Sequence, residues 1–451
     1  MATPVPATEF KVSFAENRLT LQAVDVPLRS ILAQFTEADI EVRISPEINP
    51  RVTASFSDEP LAAGLNRILG PLNHALIWRQ IESPLGPIQR LAEIQIFEAG
   101  RRQAMEPLPQ PTHFELARDP FSGAAYVRRE VLLGLKPGMD RARFRKILAE
   151  IGATVVDSHG ATGIYRLRLD QDQDIPGLAR ALNDMPGVAR AEPNWAHRLP
   201  PSANRLAQSE APVSSIAPYA GENAVPIAVL DSGLATGADL QTLTLATLDA
   251  LDPQAPISDT LGHGTQMALI ASGAVTPMNA VPYDREDGPS IIAVRAFDDQ
   301  GVTSNFVLME SMDFSIAQGA RVMSLSWGTE TPSQFLEATM NYGRSQGLII
   351  VAAAGNEPTG RPYYPAAYPA VIGVGALNQD GEPWENSNYG DFVTLSAPGV
   401  AALPIGYQGK PGIYAGTSIA TAYVANRIAG ALADNPDKEL TAILADLSSA
   451  P

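Results

Sequence analysis

The sequence predicts an α/β protein in which a domain built on a parallel sheet follows two small α+β domains. The chain has 451 residues, which is more than one hydrophobic core of ordinary size organises. Beyond residue 225, short apolar runs alternate with helical patterns, as is typical of a parallel sheet with helices on both faces. Upstream of residue 200, two shorter stretches each combine strand-like runs with amphipathic helices, which predicts one small domain for each stretch.

The first small domain is predicted at residues 9–97. Two similar phrases, VDVPLRSILAQF (24–35) and SDEPLAAGLNRIL (57–69), each place an aspartate before an apolar helical run, with a proline near the start of the helix. The stretch between them is typical of short strands interrupted by prolines. Together with HALIW after the second helix, the pattern resembles the secretin and TonB short N-terminal (STN) domain. The resemblance implies docking to another envelope protein, and an unrelated α+β domain is the alternative.

The second small domain is predicted at residues 123–200, after a linker at 98–122 that mixes Pro, Gly and charged residues without a period. Its strand and helix patterns follow the order βαββαβ and end in an extended tail. This order, with the phrase MPGVARAEPN, resembles the propeptide of subtilisin-like proteases. The resemblance implies that the domain assists the folding of its own protease and that its tail, residues 192–200, lies in the active site as an inhibitor.

A second linker is predicted at residues 201–221, which are rich in Pro, Ser and Ala and lack a hydrophobic period. The resemblance implies that the chain is cut at the end of the tail. Prolines in LPPS (199–202) flank the expected bond, however, and a proline after the bond generally blocks cleavage by serine proteases. We therefore expect cleavage around 203–217, or a chain that stays uncut as a stable zymogen.

The charge of the chain is unevenly distributed. From residue 221 onward there are 8 basic and 24 acidic residues, a balance of −16, so the first 220 residues carry about −1 of the total of −17. The charge of the acidic part disfavours nucleic-acid binding, because contacts to phosphates need clustered cations. Either the arginine-richer front half docks on the acidic back half, or the acidic surface only keeps the protein in solution.

Composition also limits the chemistry and the compartment. The chain has no cysteine, which excludes disulfides, thiolate metal sites and a cysteine nucleophile. No apolar run reaches the roughly 18 residues of a transmembrane helix. The start, MATPVPATEF, lacks the basic and apolar regions of a signal peptide, so we expect either a cytosolic protein or one whose signal peptide has been removed.

The last domain, 222–451, carries the residues that predict chemistry. In parallel sheets, reactive groups gather at the carboxyl ends of the strands, and three predicted strands end on polar residues, namely Asp231, Ser326 and Asn356. His263, in GHGT, is the last histidine of the chain, and Ser418 lies at the start of an alanine-rich helix. Each residue alone has a structural interpretation, such as a turn-forming aspartate or a helix-capping serine. Together, Asp231, His263 and Ser418 supply the orienting carboxylate, base and nucleophile that acyl transfer needs.

Four segments, VLDSG, GHGT, VAAAGNE and YAGTSIA, resemble in order and spacing the signature segments of the subtilisin-like serine proteases, or subtilases. The resemblance implies a serine endopeptidase that hydrolyses protein substrates through an acyl-enzyme. It assigns Ser418 as the nucleophile, His263 as the general acid and base, and Asp231 as the group that orients His263. Asn356 and the backbone N–H of Ser418 would bind the oxyanion. The alternative is a catalytically silent, peptide-binding pseudoprotease at an envelope partner.

The same resemblance implies a groove for an extended peptide. Its predicted residues are Gly301, Val302 and Thr303 on one edge, Ser326, Trp327 and Gly328 on the other edge and pocket wall, and Ala354 and Gly355 on the facing wall. Tyr363 falls where the family has a small residue at the base of the P1 pocket, which takes the substrate residue before the cleaved bond. If its ring points inward, the pocket is shallow and favours small or medium apolar P1 residues.

No cofactor is expected. The loop after the histidine helix, GAVTPMNAVPYDREDGPS, lacks the Asn- and Gly-containing loop that builds a calcium site in many relatives, so we predict no metal there. The STN resemblance suggests the periplasm or outer membrane of a Gram-negative cell, and we expect a periplasmic or secreted protein.

Overall fold

The computed structural model describes residues 11–15, 18–36, 40–81, 88–108, 113–200, 205–207, 224–237, 240, 242–281, 288–404 and 411–449. The chain divides into two compact units, Met1–Pro111 and Thr112–Pro451. The boundary lies inside the linker predicted at 98–122. That segment contains a one-turn 3-10 helix at Arg102–Ala104 and strands of two and three residues, which are too short to be recognised from a sequence period.

The first unit is built from two sheets and two helices. One sheet has the antiparallel order β1 (Lys11–Ala15), β2 (Arg18–Pro27), β4 (Arg51–Pro60), and the other has the order β5 (Asn73–Ile81), β6 (Ile88–Phe97), β3 (Glu41–Ile44), β7 (Glu106–Pro107). The predicted helices are α1 (Leu28–Thr36) and α2 (Leu61–Leu69). Gly64 lets α2 approach the sheet closely, because a Cβ atom there would lie 2.9 Å from Leu19.

The second unit begins with a sheet that two helices cover. In chain order its elements are β8 (Leu116–Arg118), β9 (Ala125–Leu135), α3 (Arg141–Ile151), β10 (Ala153–His159), β11 (Ile164–Leu169), α4 (Ile175–Asn183) and β12 (Val188–Arg198). From β9 onward this is the predicted βαββαβ order. Asp140 and Asp174 begin the two helices by accepting hydrogen bonds from the backbone N–H groups of Arg143 and Gly177.

Within the described part of the chain, a seven-stranded parallel sheet forms the centre of the second unit. In spatial order its strands are β15 (Thr244–Asp249), β16 (Ile291–Arg295), β14 (Ile227–Asp231), β18 (Val322–Leu325), β19 (Ile349–Ala353), β20 (Val371–Leu377) and β21 (Leu395–Pro398). Successive residues of β14 enter different cores: Ile227 and Val229 one core, Ala228 and Leu230 the other. Because both faces are buried, the strands are apolar throughout.

Helices cover both faces of this sheet. Residues of α5 (His263–Ala271) and α8 (Thr417–Asp434) pack in one core, and residues of α6 (Asn305–Ala317) and α7 (Gln334–Ser345) pack in the other. The last helix, α9 (Leu440–Ser449), packs beside α8. This three-layer arrangement brings the carboxyl ends of β14, β18 and β19 to one edge of the sheet, where polar residues follow each strand.

Short strands also pair outside the parallel sheet. Strand β12 pairs antiparallel with β17 (Val302–Ser304), and β13 (Arg205–Ala207) pairs with β23 (Gly412–Ala415), which lies beside β22 (Val400–Leu403). Strand β13 belongs to the linker predicted at 201–221, of which the structure describes only residues 205–207. The rest of the predicted cleavage region, 203–217, lies outside the described residues.

Candidate active site

Asp231 and His263 form the centre of the site. Asp231 ends strand β14, and His263 is the first residue of helix α5. The Nδ1 atom of His263 lies 2.7 Å from Oδ1 of Asp231, and both side chains are buried. Burial alone would lower the pKa of His263, but the charge and hydrogen bond of Asp231, with the charge of Asp259, raise this pKa above its ordinary value. The imidazole is therefore held by one nitrogen and made more basic.

Asp259 joins the turn after β14 to the start of α5. Its carboxylate accepts hydrogen bonds from Ser232 Oγ (2.8 Å), Gly262 N (2.7 Å), Thr265 N (2.8 Å) and Thr265 Oγ1 (2.6 Å). The carboxylate thus satisfies N–H groups at the start of the helix that carries His263. Asp259 was not among the predicted site residues. The sequence offers little signal for this role, because a capping residue is expected immediately before the helix, and that position is Gly262.

The glycines of GHGT are required by close backbone packing. A Cβ atom on Gly264 would overlap the backbone of Gly233, and Gly262 has a φ of 79°, which L side chains rarely adopt. The N–H of Gly264 also donates a hydrogen bond to Ser232 Oγ at 2.8 Å. Small residues therefore let the histidine helix begin directly against the strand end that carries the aspartate.

Ser418 lies in the first turn of helix α8. Its side chain is buried, and its Oγ atom donates a hydrogen bond to the carbonyl oxygen of Ser326 at 3.3 Å. Asn426 ties α8 to α5, because its Nδ2 atom donates to the carbonyl oxygen of Ala271 at 2.9 Å. Asn426 and Ala271 lie eight residues after Ser418 and His263, respectively. The same number of helical residues therefore separates this contact from Ser418 in α8 and from His263 in α5.

Asn356 follows strand β19 and is fixed at the start of helix α8. Its Oδ1 atom accepts hydrogen bonds from the backbone N (3.0 Å) and the Oγ1 (2.8 Å) of Thr417. Because both bonds engage the oxygen, Nδ2 is the end of the amide that can donate to a ligand. A Cβ atom on Gly416 would lie 3.6 Å from this Nδ2. The amide and the first N–H groups of α8 thus form a set of donors beside Ser418.

The edge strand predicted to bind substrate is occupied by the chain's own tail. Leu199 N donates to the carbonyl oxygen of Gly301 at 2.9 Å. The residues before it pair antiparallel with β17, Arg198 opposite Val302 and His197 opposite Thr303. Backbone pairing of this kind is how an extended peptide adds to an exposed strand.

Tyr363 lies between two of the predicted pocket walls. Its ring occupies the space that a Cβ atom on Gly328 would need, and a Cβ atom on Gly355 would lie 3.1 Å from the ring. Burial raises the pKa of the Tyr363 hydroxyl to about 12. The ring thus fills the gap between the two glycines. The other predicted wall residues are buried, namely Ser326, Trp327 and Ala354.

Side chains of strand β12 cap two helices of the parallel-sheet domain. Asn194 Oδ1 accepts a hydrogen bond from Phe306 N at 3.1 Å, at the start of α6. Glu192 accepts hydrogen bonds from Ser333 Oγ (2.7 Å) and Gln334 N (2.9 Å), at the start of α7. These contacts satisfy N–H groups that a helix leaves without partners. Neither capping residue was predicted. The signal in the sequence is that the two residues are two positions apart in a strand, a spacing that puts both side chains on one face.

Two further findings concern metal sites and membrane-spanning helices. Among the described residues, no group of three or more His, Cys, Asp or Glu side chains could hold a metal ion. The helices of the described segments include none that is long and apolar enough to cross a membrane. The loop predicted to lack a calcium site includes residues 282–287, which lie outside the described part of the chain, so the absence of metal there stays a prediction.

Comparison with protein-family models identifies two parts of the chain. The model described as the subtilase family, peptidase S8, matches residues 222–445. The model described as the fervidolysin N-terminal prodomain matches residues 117–194. The two matches therefore cover the parallel-sheet domain and the small domain before it, and they do not test the resemblance predicted for residues 9–97.

Curated relatives agree with these matches. The thermophilic serine proteinase of Bacillus sp. strain AK1 is 30% identical over 310 residues, which are 67% of this chain and 77% of that relative. Thermitase of Thermoactinomyces vulgaris is 33% identical over 208 residues, which are 46% of this chain and 74% of thermitase. The chain thus spans most of the length of both relatives.

A solved structure shows the same fold. The crystal structure of fervidolysin from Fervidobacterium pennivorans, a keratinolytic enzyme related to subtilisin, matches with a TM-score of 0.57 and 22% identity, covering 73% of this chain and 58% of that chain. This likeness confirms the predicted fold class. From the family match, the relatives and this fold, we conclude that the chain belongs to the subtilase family and is a serine peptidase with a fervidolysin-like prodomain.

Proposed function

We propose that Ser418, His263 and Asp231 are the catalytic residues of a serine endopeptidase that works through an acyl-enzyme. The observation that carries the assignment is the buried 2.7 Å contact between Asp231 Oδ1 and His263 Nδ1. Ser418 lies at the same end of the sheet, where its Oγ donates a hydrogen bond to the carbonyl oxygen of Ser326. Family membership supports the reaction class. The comparisons do not favour the alternative, a catalytically silent protein that only binds peptides.

In this mechanism, Ser418 Oγ attacks the carbonyl carbon of the peptide bond, and its proton passes to Nε2 of His263. Asp231 keeps the ring oriented through Nδ1 and stabilises the imidazolium that forms. His263 then gives the proton to the leaving amine, and the acyl group stays on Ser418. A water molecule, deprotonated by the same imidazole, hydrolyses this ester and regenerates the serine. The raised pKa of His263 supports its role as proton acceptor.

The negative oxygen of each tetrahedral intermediate is assigned to Asn356 Nδ2 and the backbone N–H of Ser418. Two hydrogen bonds from Thr417 hold the amide oxygen of Asn356, which leaves its NH₂ group available to the oxyanion. The start of helix α8 adds the partial positive charge of a helix N-terminus. Both donors are fixed before substrate binds, so little reorganisation is needed during the reaction.

The pocket for the P1 side chain is assigned to the gap between Gly328 and Gly355, with Ser326, Trp327 and Ala354 as its remaining wall residues. Because the ring of Tyr363 packs against both glycines, we assign small P1 residues, alanine above all, as the preferred substrates. Larger side chains need the ring to move. The edge strand for the substrate backbone is assigned to Gly301, Val302 and Thr303, where the chain's own tail already pairs.

The protein is assigned as a zymogen whose prodomain both inhibits and assists folding. Inhibition is supported by the antiparallel pairing of residues 196–198 with the proposed substrate edge. A role in folding is supported by Glu192 and Asn194, which cap helices α6 and α7 from outside the parallel-sheet domain. Cleavage is proposed at 203–217, or slow enough that the uncut chain persists.

We place the protein outside the cytoplasm. One relative, named minor extracellular protease Epr of Bacillus subtilis, is 33% identical over 206 residues, or 46% of this chain and 31% of that relative. A periplasmic location and an envelope partner for residues 9–97 rest on the STN resemblance and stay predictions. Pull-down of this domain against envelope proteins tests them.

The assignment is tested by hydrolysis of an alanine-containing fluorogenic peptide, before and after a second protease cuts the linker. Ser418→Ala and His263→Ala should each abolish turnover under both conditions. The matched control is Ser448→Ala, which removes an exposed hydroxyl whose described bond goes to its own helix at Leu444 O. Turnover by the Ser418→Ala protein at the rate of the unmodified chain refutes the proposal.

A further inference from the structure

His197 of the prodomain tail enters a recess in the parallel-sheet domain. Its side chain is 3% exposed, and it lies opposite Thr303 in the pairing of β12 with β17. Residues directly opposite in antiparallel strands present their side chains on the same face. The imidazole also lies against the indole of Trp327, with ring centroids 5.7 Å apart and an angle of 32° between the planes. We call the space bounded by Thr303, Asn305 and Trp327 the imidazole recess.

Asn305 supplies the polar wall of the imidazole recess. His197 Nε2 lies 2.5 Å from Asn305 Oδ1, and Asn305 Nδ2 donates to Ser333 Oγ at 2.9 Å. The hydroxyl of Ser333 gives its own proton to the carboxylate of Glu192, which only accepts. Ser333 must therefore accept from Asn305, so Oδ1 faces the ring. His197 is thus the donor to Asn305, and its proton is on Nε2.

The imidazole recess is polar as well as aromatic. Three buried polar atoms around it have no hydrogen-bond partner among the described residues, namely Nδ1 of His197, Oγ1 of Thr303 and Nε1 of Trp327. Buried polar groups are normally paired, so a purely apolar side chain is a poor match for this space. Imidazole presents a flat face to Trp327 and a donor nitrogen to Oδ1 of Asn305, and an aliphatic side chain can supply only the first of these contacts.

We propose that, in the activated protease, Asn305 and Trp327 of the imidazole recess select substrates with histidine at the position that His197 takes in the tail. The inference rests on the proposed function, because a substrate must displace the tail and pair with β17 in the same way. A neutral histidine stacks on Trp327 and engages Asn305. A leucine at this position leaves Oδ1 of Asn305 buried without a donor, although Nδ2 keeps its bond to Ser333.

The test is a peptide library in which each position before the cleaved bond is varied, assayed at pH 8, where imidazole is neutral. The enzyme is the full chain after activation, with its concentration taken from fluorophosphonate titration of the reactive serine. At one position, histidine should exceed leucine in kcat/KM by about tenfold or more, the effect of one buried unpaired polar group. Asn305→Leu should abolish this ratio. Asn341→Leu, the same exchange at an exposed residue of α7, should leave it unchanged.

A second experiment changes residues of the tail and leaves Asn305 intact. His197→Leu should raise peptide hydrolysis by the uncut chain about tenfold, because the tail loses its anchor. Arg198→Leu alters the exposed neighbouring residue and should have little effect. Equal or better cleavage of leucine peptides by titrated enzyme, or equal effects of the two tail variants, overturns the inference. If fluorophosphonate does not label the enzyme, the result contradicts the proposed catalytic function instead.

Discussion

Acid should loosen the prodomain tail, because His197 would have to carry a second proton in the imidazole recess. Burial lowers the pKa of His197 to about 4, and the hydrogen bond with Asn305 only partly opposes this. The other residues described around the ring, Thr303 and Trp327, do not titrate in this range. A proton on Nδ1 would therefore enter a buried space that offers no negative charge to receive it.

The size and direction of the effect follow from this pKa. A released tail has an ordinary histidine pKa of about 6.5, whereas the docked tail stays neutral down to about 4. Docking is at full strength above pH 6.5 and weakens as pH falls through the interval between these values, by about tenfold for each pH unit. At pH 4 the loss is roughly 160-fold, or about 3 kcal/mol, if His197 alone titrates.

The assay uses the full chain with Ser418→Ala, so that no cleavage occurs, and histidine labelled with ¹³C. One of the five imidazole signals should titrate near pH 4, and His197→Gln, which keeps a donor toward Asn305, should remove it. The free energy of unfolding should fall between pH 6.5 and 4 by more in the parent than in the His197→Gln protein. A His197 signal with a midpoint near 6.5 refutes the reasoning, because it means that the ring is not buried in the imidazole recess.

Four further predictions concern the proposed catalytic centre. Asp231→Asn should lower kcat about 10⁴-fold with little change in KM, because the imidazolium loses its partner; steady-state peptide hydrolysis measures both constants. Asn356→Leu should lower kcat about 10²–10³-fold, the range known for the oxyanion asparagine of subtilisin. Tyr363→Gly should open the P1 pocket, so that the ratio of kcat/KM for phenylalanine over alanine rises. Asp259→Asn should move the acid limb of kcat/KM to lower pH, because the pKa of His263 loses one raising charge.

Each of these predictions has a result that would contradict it. A kcat that survives either Asp231→Asn or Asn356→Leu means that the triad or the oxyanion site lies elsewhere. An unchanged P1 ratio in the Tyr363→Gly enzyme means that another side chain limits the pocket. If Asp259→Asn lowers kcat but leaves the acid limb of kcat/KM in place, the Asp259 carboxylate positions His263 and does not raise its pKa.

Much of the protease domain could be predicted because its signals are local. The apolar run that ends at Asp231 is buried on both faces, so a central strand of a parallel sheet was the natural interpretation. The segments around His263 and Ser418 carry small residues for steric reasons, since the helix start at Gly264 packs on the backbone of Gly233. Such requirements leave a recognisable sequence pattern even where the rest of the chain varies.

The contacts that were not predicted depend on distant parts of the chain meeting. Asp259 looks like an ordinary loop aspartate until the turn after β14 is placed against α5. Glu192 and Asn194 cap helices that begin more than 100 residues later in the chain. The sequence of their own domain therefore does not indicate this role. Strand β13 has three residues, and only its pairing with β23 makes it a strand. Periodicity carries no information on such pairings.

The most direct test of the account is covalent labelling of the activated full chain with a fluorophosphonate, followed by peptide mapping. The account predicts one added phosphonate group per molecule, on Ser418, and no labelling of the His263→Ala protein, because the serine needs its base. A label on another residue, or an unlabelled Ser418 in a folded chain freed of its prodomain, contradicts the assignment of Asp231, His263 and Ser418 as the catalytic centre.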